Sequence, residues 1–253
     1  MKQVLVIGDS CDDVYIFGDC KRLSPEYPIP VLDKVNNEIH PGMAANVNAN
    51  LNALGIATNL LTQREKITKT RFVDINTKQQ LLRMDTTPKV TPLTGPEVKM
   101  AMIHATYDAL VISDYDKGFI GYQELIVLCE NFPGPIFVDT KKTKLFQLDN
   151  VFWKINEKEY NALDKEKRPN ETHLIVTLGS KGVRWAGIVY PAKPVNVFDV
   201  CGAGDTFLSL LVYEFLKQND MKKAVDVANR GAAITVQHPG TYKLTKKDLE
   251  SLF

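Results

Sequence analysis

One acid, Asp205, follows a run of small residues in the stretch DVCGAGDTFLSLLVYEF, which covers residues 199–215. The apolar residues after it recur with helical spacing, so the stretch is typical of a tight turn that opens into a helix. Backbone N–H groups at the start of such a helix favour an anion, because the aligned peptide dipoles place positive charge there. A phosphate group would fit this turn.

Two roles are open for Asp205. As an N-terminal cap, an aspartate would stabilise the first helical turn by about 1 kcal/mol. As a general base, it would accept a hydroxyl proton while the neighbouring N–H groups stabilise charge on a transferred phosphoryl group. The stretch alone does not separate the two roles. It lacks the GKS or GKT ending of a Walker A loop, which disfavours a P-loop NTPase.

The elements around this turn alternate between strands and helices. Apolar, β-branched runs that each end in small or charged residues lie at 3–9, 109–118, 135–142 and 173–182. Helical patterns separate them, including 44–55, 121–132 and 221–237. Continuous apolar strands are typical of a parallel sheet covered on both faces, in which ligand groups collect at the carboxyl ends of the strands. The pattern predicts an α/β layered core.

Two segments do not follow this alternation. Residues 24–42 are extended and punctuated by proline, and residues 68–85 read as two strands around a polar turn near Asn76 and Thr77. We expect them to form a small sheet that projects from the core as a lid, with lid segments at about 11–40 and 66–86.

Composition excludes several classes of partner. The chain has 31 Lys and Arg against 30 Asp and Glu and no long run of one sign, so nothing favours nucleic acid or an anionic membrane surface. The four cysteines lack CxxC or zinc-like spacing, which fits a reducing compartment. The apolar run at the N-terminus is too short for a signal peptide or a membrane span. We expect a cytoplasmic protein.

Four motifs together resemble one known family. The segments PGMAANVNANLNALG (41–55), NEKE (156–159), VTLGSKG (176–182) and DVCGAGDTF (199–207) occur in the order found in the ribokinase-like, or PfkB, carbohydrate kinases. Within that family, 22–32, 67–85 and SDYDKG (113–118) are most similar to the kinases of D-glycero-β-D-manno-heptose 7-phosphate. The resemblance implies a three-layer α/β/α ribokinase-like core with a small β lid, as one kinase domain over residues 1–253. We expect only the kinase part of the two-activity heptose enzymes.

The resemblance also implies roles for individual residues. Asp205 would be the catalytic base, and Gly202, Ala203 and Gly204 would form the anion hole. Sugar hydroxyls would be held by Asp13, Gly42 and Asn46. The simpler alternatives are a turn residue for Asp13 and a helix-start residue for Asn46.

On the nucleotide side, the resemblance places one acid near Mg²⁺ and six residues near ATP. The acid is Glu159, and the six are Lys154, Asn156, Thr177, Gly179, Gly182 and Asn229. For Asn156 and Glu159 the alternative is a solvated helix face. A monovalent cation near Asp199 and a homodimer through the lid are further features that the resemblance suggests.

A phosphorylated acceptor needs cations. Lys69 and Arg71 share a face of their strand because strand side chains alternate, and Arg83 lies on the next strand, so this face could meet the sugar phosphate. The alternative for all three is the charged outer face of a lid strand.

Two features of the sequence depart from the family pattern. Met43 stands where a second glycine is usual, which puts close backbone approach to the sugar in doubt. The chain also passes almost directly from the strand after the first helix into residues 68–85, where relatives have a further helix and strand.

The sequence therefore predicts an ATP- and Mg²⁺-dependent sugar kinase acting on a sugar or sugar phosphate, with O1 of D-glycero-β-D-manno-heptose 7-phosphate as the preferred acceptor. The alternatives are the same chemistry on ribose, fructose, a fructose phosphate or a nucleoside, and a non-catalytic relative that only binds a sugar or nucleotide.

Overall fold

Two β-sheets organise the chain in the structure, a computed structural model that describes residues 2–103 and 107–252. The main sheet consists, from edge to edge, of β12 (Ile188–Tyr190), β11 (Val183–Trp185), β10 (Leu174–Thr177), β9 (Val151–Asn156), β8 (Ile136–Thr140), β7 (Ala109–Asp114), β1 (Gln3–Gly8) and β4 (Ala57–Leu61). Strands from β4 to β10 pair in parallel, whereas β11 and β12 are antiparallel.

Helices cover both faces of the main sheet. One face carries α1 (Ala44–Ala53), α5 (Ala203–Gln218), α6 (Met221–Thr235) and α7 (Lys246–Leu252), and the other carries α2 (Gly95–Ile103) and α3 (Tyr122–Asn131). Successive strand side chains point to opposite faces, so in β1 Val4 and Val6 pack with the first group while Leu5 and Ile7 pack with the second. The predicted three-layer α/β/α core is confirmed. No helix in the described part of the chain is both long and apolar enough to span a membrane.

The small sheet grows from the end of β1. Its strand order is β3 (Pro30–Met43), β2 (Ser10–Leu23), β5 (Thr68–Asp74) and β6 (Gln80–Thr86). Only Asp9 separates β1 from β2, and β3 runs directly into α1. The β lid of the predicted fold class is therefore present and is tied to the centre of the main sheet.

The strand order changes direction at β1, which lies between β7 and β4. In open parallel sheets, ligands bind beside the carboxyl ends of the strands at such a switch point. The residues at or next to these ends include Asp9, Asp114, Thr140, Asn156 and Thr177.

On the side of β1 away from β7, the main sheet has a single further strand among the described residues, β4. β4 is its edge strand, and after Leu61 the chain enters β5 at Thr68 with no helix or strand between them. The expected direct passage from the core into the lid strands is therefore confirmed.

Met43, the residue in place of the usual glycine, keeps a backbone conformation that favours glycine. Its φ and ψ are 58° and −133°, and its side chain is buried in the core beneath the main sheet. A residue with a Cβ in such a region is strained by about 1–3 kcal/mol. Core packing of the methionine offsets this strain, so the turn into α1 retains its shape without the glycine.

Replacing Met43 separates these two effects. Met43→Ala keeps the strain and loses the packing, so we expect it to lower the free energy of unfolding by about 2–5 kcal/mol. Met43→Gly loses the same packing but releases the strain, and it should be about 1–2 kcal/mol more stable than the alanine variant. Urea denaturation of the three proteins measures both differences. An alanine variant more stable than the glycine variant would contradict the strained backbone.

Candidate active site

Asp205 lies in the first turn of α5 but does not cap it. The N-cap residue is Gly202, in a left-handed conformation with φ 75°, and no side chain caps the helix. The Asp205 carboxylate is buried and instead accepts hydrogen bonds from two distant residues: Asn46 Nδ2 at 2.8 Å and the Tyr115 hydroxyl at 2.9 Å. Asp205 is therefore not the N-cap of α5, and of its two possible roles the general base remains.

The surroundings of Asp205 make it a weaker acid than an exposed aspartate. Burial, together with the charge of Asp139, raises its pKa to about 6, although the hydrogen bonds from Asn46 and Tyr115 and the charge of Lys154 act in the opposite direction. A carboxylate with this pKa is ionised at neutral pH and is a stronger base than an exposed aspartate, as a general base requires.

The Gly202–Gly204 turn brings backbone N–H groups close to cationic and polar side chains. A Cβ at Gly204 would lie 3.0 Å from Lys154 Nζ, and a Cβ at Gly202 would lie 3.1 Å from Asn46 Nδ2. Glycine is therefore needed for this close approach as well as for the left-handed φ of Gly202. The Ala203 N–H donates to the Val200 carbonyl oxygen at 3.4 Å, and the Thr206 N–H donates to that of Gly202 at 2.9 Å, so the N–H groups between them are the ones available to an anion beside Asp205.

Lys154 on β9 is held by an acid on the neighbouring strand β8. Its Nζ lies 2.6 Å from Asp139 Oδ2, and the two residues are register partners on β9 and β8. Both side chains are buried, and among the described residues Asp139 Oδ1 has no hydrogen-bond partner. The pair presents a cation toward the anion-binding turn and an unused carboxylate oxygen close by.

Asn156 and Glu159 form a capping box at α4 (Glu157–Ala162). The Asn156 side chain accepts from the Glu159 backbone at 2.9 Å, and the Glu159 carboxylate accepts from the Asn156 backbone at 2.8 Å. Glu159 also pairs with Lys141. The motif therefore caps the N-terminus of α4 directly after β9, and its side chains are not simply part of a solvated helix face.

The sugar-side residues gather between β2, β3, β5 and α1. Asp13 is buried and paired with Arg71 Nη1, and a Cβ at Gly42 would lie 2.4 Å from Asp13 Oδ2. Asn46 connects this group to Asp205. Asp13, Gly42, Asn46 and Arg71 are thus brought together next to the buried base.

The three predicted phosphate-binding cations differ in availability. Arg71 is committed to Asp13, and Arg83 forms a bidentate pair with Asp85 at 2.7 and 2.6 Å near the surface. Lys69 lies with its Nζ 5.3 Å from the centre of the Tyr115 ring, and across residues 2–103 and 107–252 it has no carboxylate within 4.0 Å. The charge of its register partner Asp85 acts on it, but that carboxylate is already held by Arg83. Lys69 is therefore the cation best placed for a new anion.

A first cavity of about 500 Å³ lies on the other side of the turn. Its walls include Ala203 and Gly204 of the turn and four predicted nucleotide-side residues, Thr177, Gly179, Gly182 and Asn229. The Asn229 amide donates to the carbonyl oxygens of Tyr190 and Pro191, so it fixes one wall of the cavity. Lys154 and Asn156 do not line this cavity but lie next to it.

A second cavity of about 840 Å³ lies between the small sheet and the core. Tyr15 and Phe17 of β2 and Phe198 of the loop before α5 supply aromatic surface, and polar walls include Lys78 and Gln237. The chain segment 197–200 separates the two cavities, because Val197 and Val200 line the first and residues 198–199 line the second.

Three residues in this site were missed by the sequence analysis: Tyr115, Asp139 and Lys141. Each follows or ends a predicted strand, so the signal available was their place at the carboxyl ends of β7 and β8. Lys141 lies 5.0 Å from the centre of the Tyr115 ring. Burial acts to lower its pKa, but Asp139, Glu159 and, to a smaller extent, Asp205 raise it above the ordinary value. The strand ends indicated the location of these residues but not their contacts.

The chain is similar in sequence and in fold to known proteins. Residues 145–248 match the model of the pfkB family carbohydrate kinases. The bifunctional protein HldE of Nitratiruptor sp. is 28% identical over 297 aligned residues, which cover 98% of this chain and 64% of that protein. The alignment is longer than the 253 residues of this chain, so the relative has residues without a counterpart here.

Solved kinases share the whole architecture. Ribokinase from Thermotoga maritima superposes with a TM-score of 0.69 at 18% identity and covers 100% of this chain and 99% of its own. Arabidopsis thaliana ribokinase, solved with ribose and ATP, gives a TM-score of 0.65 at 14% identity and covers 99% of this chain and 98% of its own. These likenesses confirm the ribokinase-like fold. The similarity to the pfkB carbohydrate kinases rests on residues 145–248 and on the relatives that the chain matches over nearly its whole length.

Proposed function

We propose that this protein is an ATP-dependent sugar kinase in which Asp205 accepts the proton of the acceptor hydroxyl. The observation that carries the proposal is the position of Asp205, buried directly after the glycine turn, with the first cavity opposite. ATP in that cavity would bring its terminal phosphate to the N–H groups of the turn. The acceptor would approach from Asp13 and Asn46.

The chemistry is a transfer of one phosphoryl group. As Asp205 takes the proton, the acceptor oxygen forms a bond to the γ-phosphorus, and the bond from that phosphorus to the ADP oxygen breaks. The N–H groups at the start of α5 and the nearby Lys154 ammonium stabilise the negative charge that is redistributed during transfer. Asn46 and Tyr115 hold the carboxylate of the base throughout.

The residues present fit a Mg²⁺ ion. Asp139 Oδ1 is buried and has no hydrogen-bond partner in the part of the chain that the structure describes, and Glu159 lies in the first turn of α4, after the neighbouring strand β9. No cluster of three ligating side chains occurs in the described ranges, but Mg²⁺ in kinases is usually held by one or two carboxylates together with waters and phosphates. Mg²⁺ would neutralise phosphate charge there. A monovalent cation near Asp199, whose carboxylate accepts from Cys201 N and Gly240 N, stays a prediction.

Asp205→Asn tests the base directly. An amide cannot accept the proton, so we expect kcat to fall by about 10²–10⁴-fold while the KM for ATP changes little. The matched control is Asp226→Asn on the exposed side of α6, which should keep full activity. Coupled ADP-release assays with a panel of sugars and sugar phosphates provide the measurement. The proposal is wrong if no sugar is phosphorylated by the native protein, or if the Asp205 variant is as active.

The preferred acceptor is D-glycero-β-D-manno-heptose 7-phosphate, phosphorylated at O1. Support comes from the similarity to HldE relatives over 98% of the chain and from Lys69, a cation without a carboxylate partner at the acceptor side. The second cavity, which begins at Tyr15 two residues beyond Asp13, would receive the carbons remote from the reacting hydroxyl. Ribose, fructose, fructose phosphates and nucleosides are the alternative acceptors of the same screen.

Lys69→Ala tests whether the acceptor is phosphorylated. Loss of the ammonium should raise the KM for a sugar phosphate by about 10-fold or more and leave the KM for ATP unchanged, since charged hydrogen bonds to phosphate are strong. Lys66→Ala is the control, because Lys66 is already paired with Asp12 near the surface. Equal effects of both substitutions would remove Lys69 from acceptor recognition.

We also propose that two copies pair through the outer face of the small sheet. The register places Ile39, Met84 and Leu82 on the face opposite Asp13 and Arg71, and each of the three side chains is at least half exposed. Apolar surface of this kind is stabilised by burial against a second copy. A cytoplasmic location, in keeping with four free cysteines, likewise stays a prediction.

Leu82→Lys combined with Met84→Lys tests this pairing. We expect the native protein to elute as a dimer and the double variant as a monomer, because buried lysines at the interface are unpaired. Val189→Lys on β12 introduces the same charge at an exposed apolar residue elsewhere and should stay dimeric. Light scattering during size-exclusion chromatography gives the masses. A native monomer would disprove the dimer.

A further inference from the structure

We infer that Tyr115 is a positioning residue, which orients the Asp205 carboxylate toward the acceptor hydroxyl through its phenol. The inference rests on the proposed kinase function and adds a residue that neither the motifs nor the family match assigns. Tyr115 follows β7, 90 positions before Asp205 in the chain, and donates to Asp205 Oδ1 at 2.9 Å. Asn46 donates to the other oxygen, Oδ2, at 2.8 Å.

Two donors on the two oxygens fix the plane of the carboxylate. Each carboxylate oxygen has two lone pairs, so one remains on each oxygen for the acceptor proton. A carboxylate held by only one donor could rotate about its Cβ–Cγ bond. A small misplacement of a reacting group lowers the rate strongly, and a shift of about 1 Å can cost about 10²-fold.

The backbone of Tyr115 is itself anchored. Its N–H donates to the buried Asp9 Oδ2 at 2.8 Å, and the N–H of Lys117 donates to the same oxygen at 3.2 Å. Asp9 directly follows β1, the strand at which the order of the main sheet changes direction. The phenol therefore approaches Asp205 from a loop that is tied to the centre of the sheet.

The phenol keeps its proton at neutral pH, so toward the Asp205 carboxylate it acts as the donor. Burial of its oxygen and the nearby charge of Asp205 raise the pKa of Tyr115 well above its ordinary value. The ring, which is partly exposed, also contacts two ammonium groups, with Lys69 Nζ at 5.3 Å and Lys141 Nζ at 5.0 Å from its centre. Tyr115 thus connects the base with an acceptor-side cation and a nucleotide-side cation.

Several charged or titratable groups act on Asp205, and each belongs to a different element. They are Asp139 at the end of β8, Lys154 on β9, Lys141 in the loop after β8, Cys11 on β2 and Tyr115 itself. Among these groups, within the described residues, Tyr115 is the one that donates a hydrogen bond directly to the Asp205 carboxylate. Removing that donor destabilises the ionised form of Asp205, so the pKa of Asp205 should rise.

Tyr115→Phe removes only the hydroxyl and keeps the ring. We expect kcat to fall by at least about 10-fold with an unchanged KM for ATP. The acidic limb of kcat/KM, which in the native enzyme reflects the Asp205 pKa of about 6, should move upward by about one pH unit. An unmoved acidic limb would overturn the inference, whatever the change in kcat.

The matched control is Tyr242→Phe. Tyr242 donates to Asp248 Oδ2 at 2.8 Å beside α7, so this variant loses the same kind of hydrogen bond, from a phenol to a carboxylate, at an acid other than Asp205. It should leave kcat and the pH profile unchanged. If it shifts the acidic limb as much as Tyr115→Phe does, the effect is general and the inference fails.

A second measurement does not require turnover. With aspartate labelled by ¹³C at its carboxyl carbon, the Asp205 signal can be assigned by its absence in Asp205→Asn and followed by NMR as the pH changes. Its titration midpoint should rise in Tyr115→Phe and stay in place in Tyr242→Phe. A raised midpoint in a protein that phosphorylates no sugar would disprove the kinase function and keep the contact. An unchanged midpoint in an active kinase would disprove the role of Tyr115 alone.

Discussion

The active site depends on one physical constraint, the burial of an ionised carboxylate. Asp205 is 4% exposed, and a charge in that position must be balanced by hydrogen bonds or opposite charge. Its partners come from three separate parts of the fold: Asn46 on α1, Tyr115 after β7 and Lys154 on β9. The helix, the sheet and the loop have to be assembled before this acid can be both buried and ionised.

The same constraint explains how charge is distributed around the site. Two buried acids near the site are each paired with a cation, Asp13 with Arg71 and Asp139 with Lys154, so that neither member of a pair is left isolated in the interior. These pairs lie on the two sides of the glycine turn. Lys69 differs from them, because it rests against the Tyr115 ring without a carboxylate partner among the described residues. Lys69 and the Oδ1 atom of Asp139 are therefore the groups of the site that remain available to charged ligands.

Much of the fold could be predicted from the sequence because its signals are local. Short β-branched runs and helical spacing predicted β1, β7, β8 and the helices between them, and the polar turn at Asn76 predicted the β5–β6 pair. The glycine turn was also readable, since a left-handed Gly202 before an apolar helix leaves a pattern within a few residues. The backbone of Met43 was not readable, because a methionine seldom has a positive φ, and core packing of its side chain holds it there.

The sequence by itself determined the layers, the turn and the acid that follows it, together with the set of polar residues that end the strands. It could not decide between a cap and a base for Asp205, nor assign partners to Tyr115, Asp139 and Lys141. Those answers required contacts between residues far apart in the chain, such as the 159 positions between Asn46 and Asp205. Only the tertiary structure brings such groups together in the protein interior. There, burial raises the pKa of the acid, and each hydrogen bond to its carboxylate stabilises the ionised form.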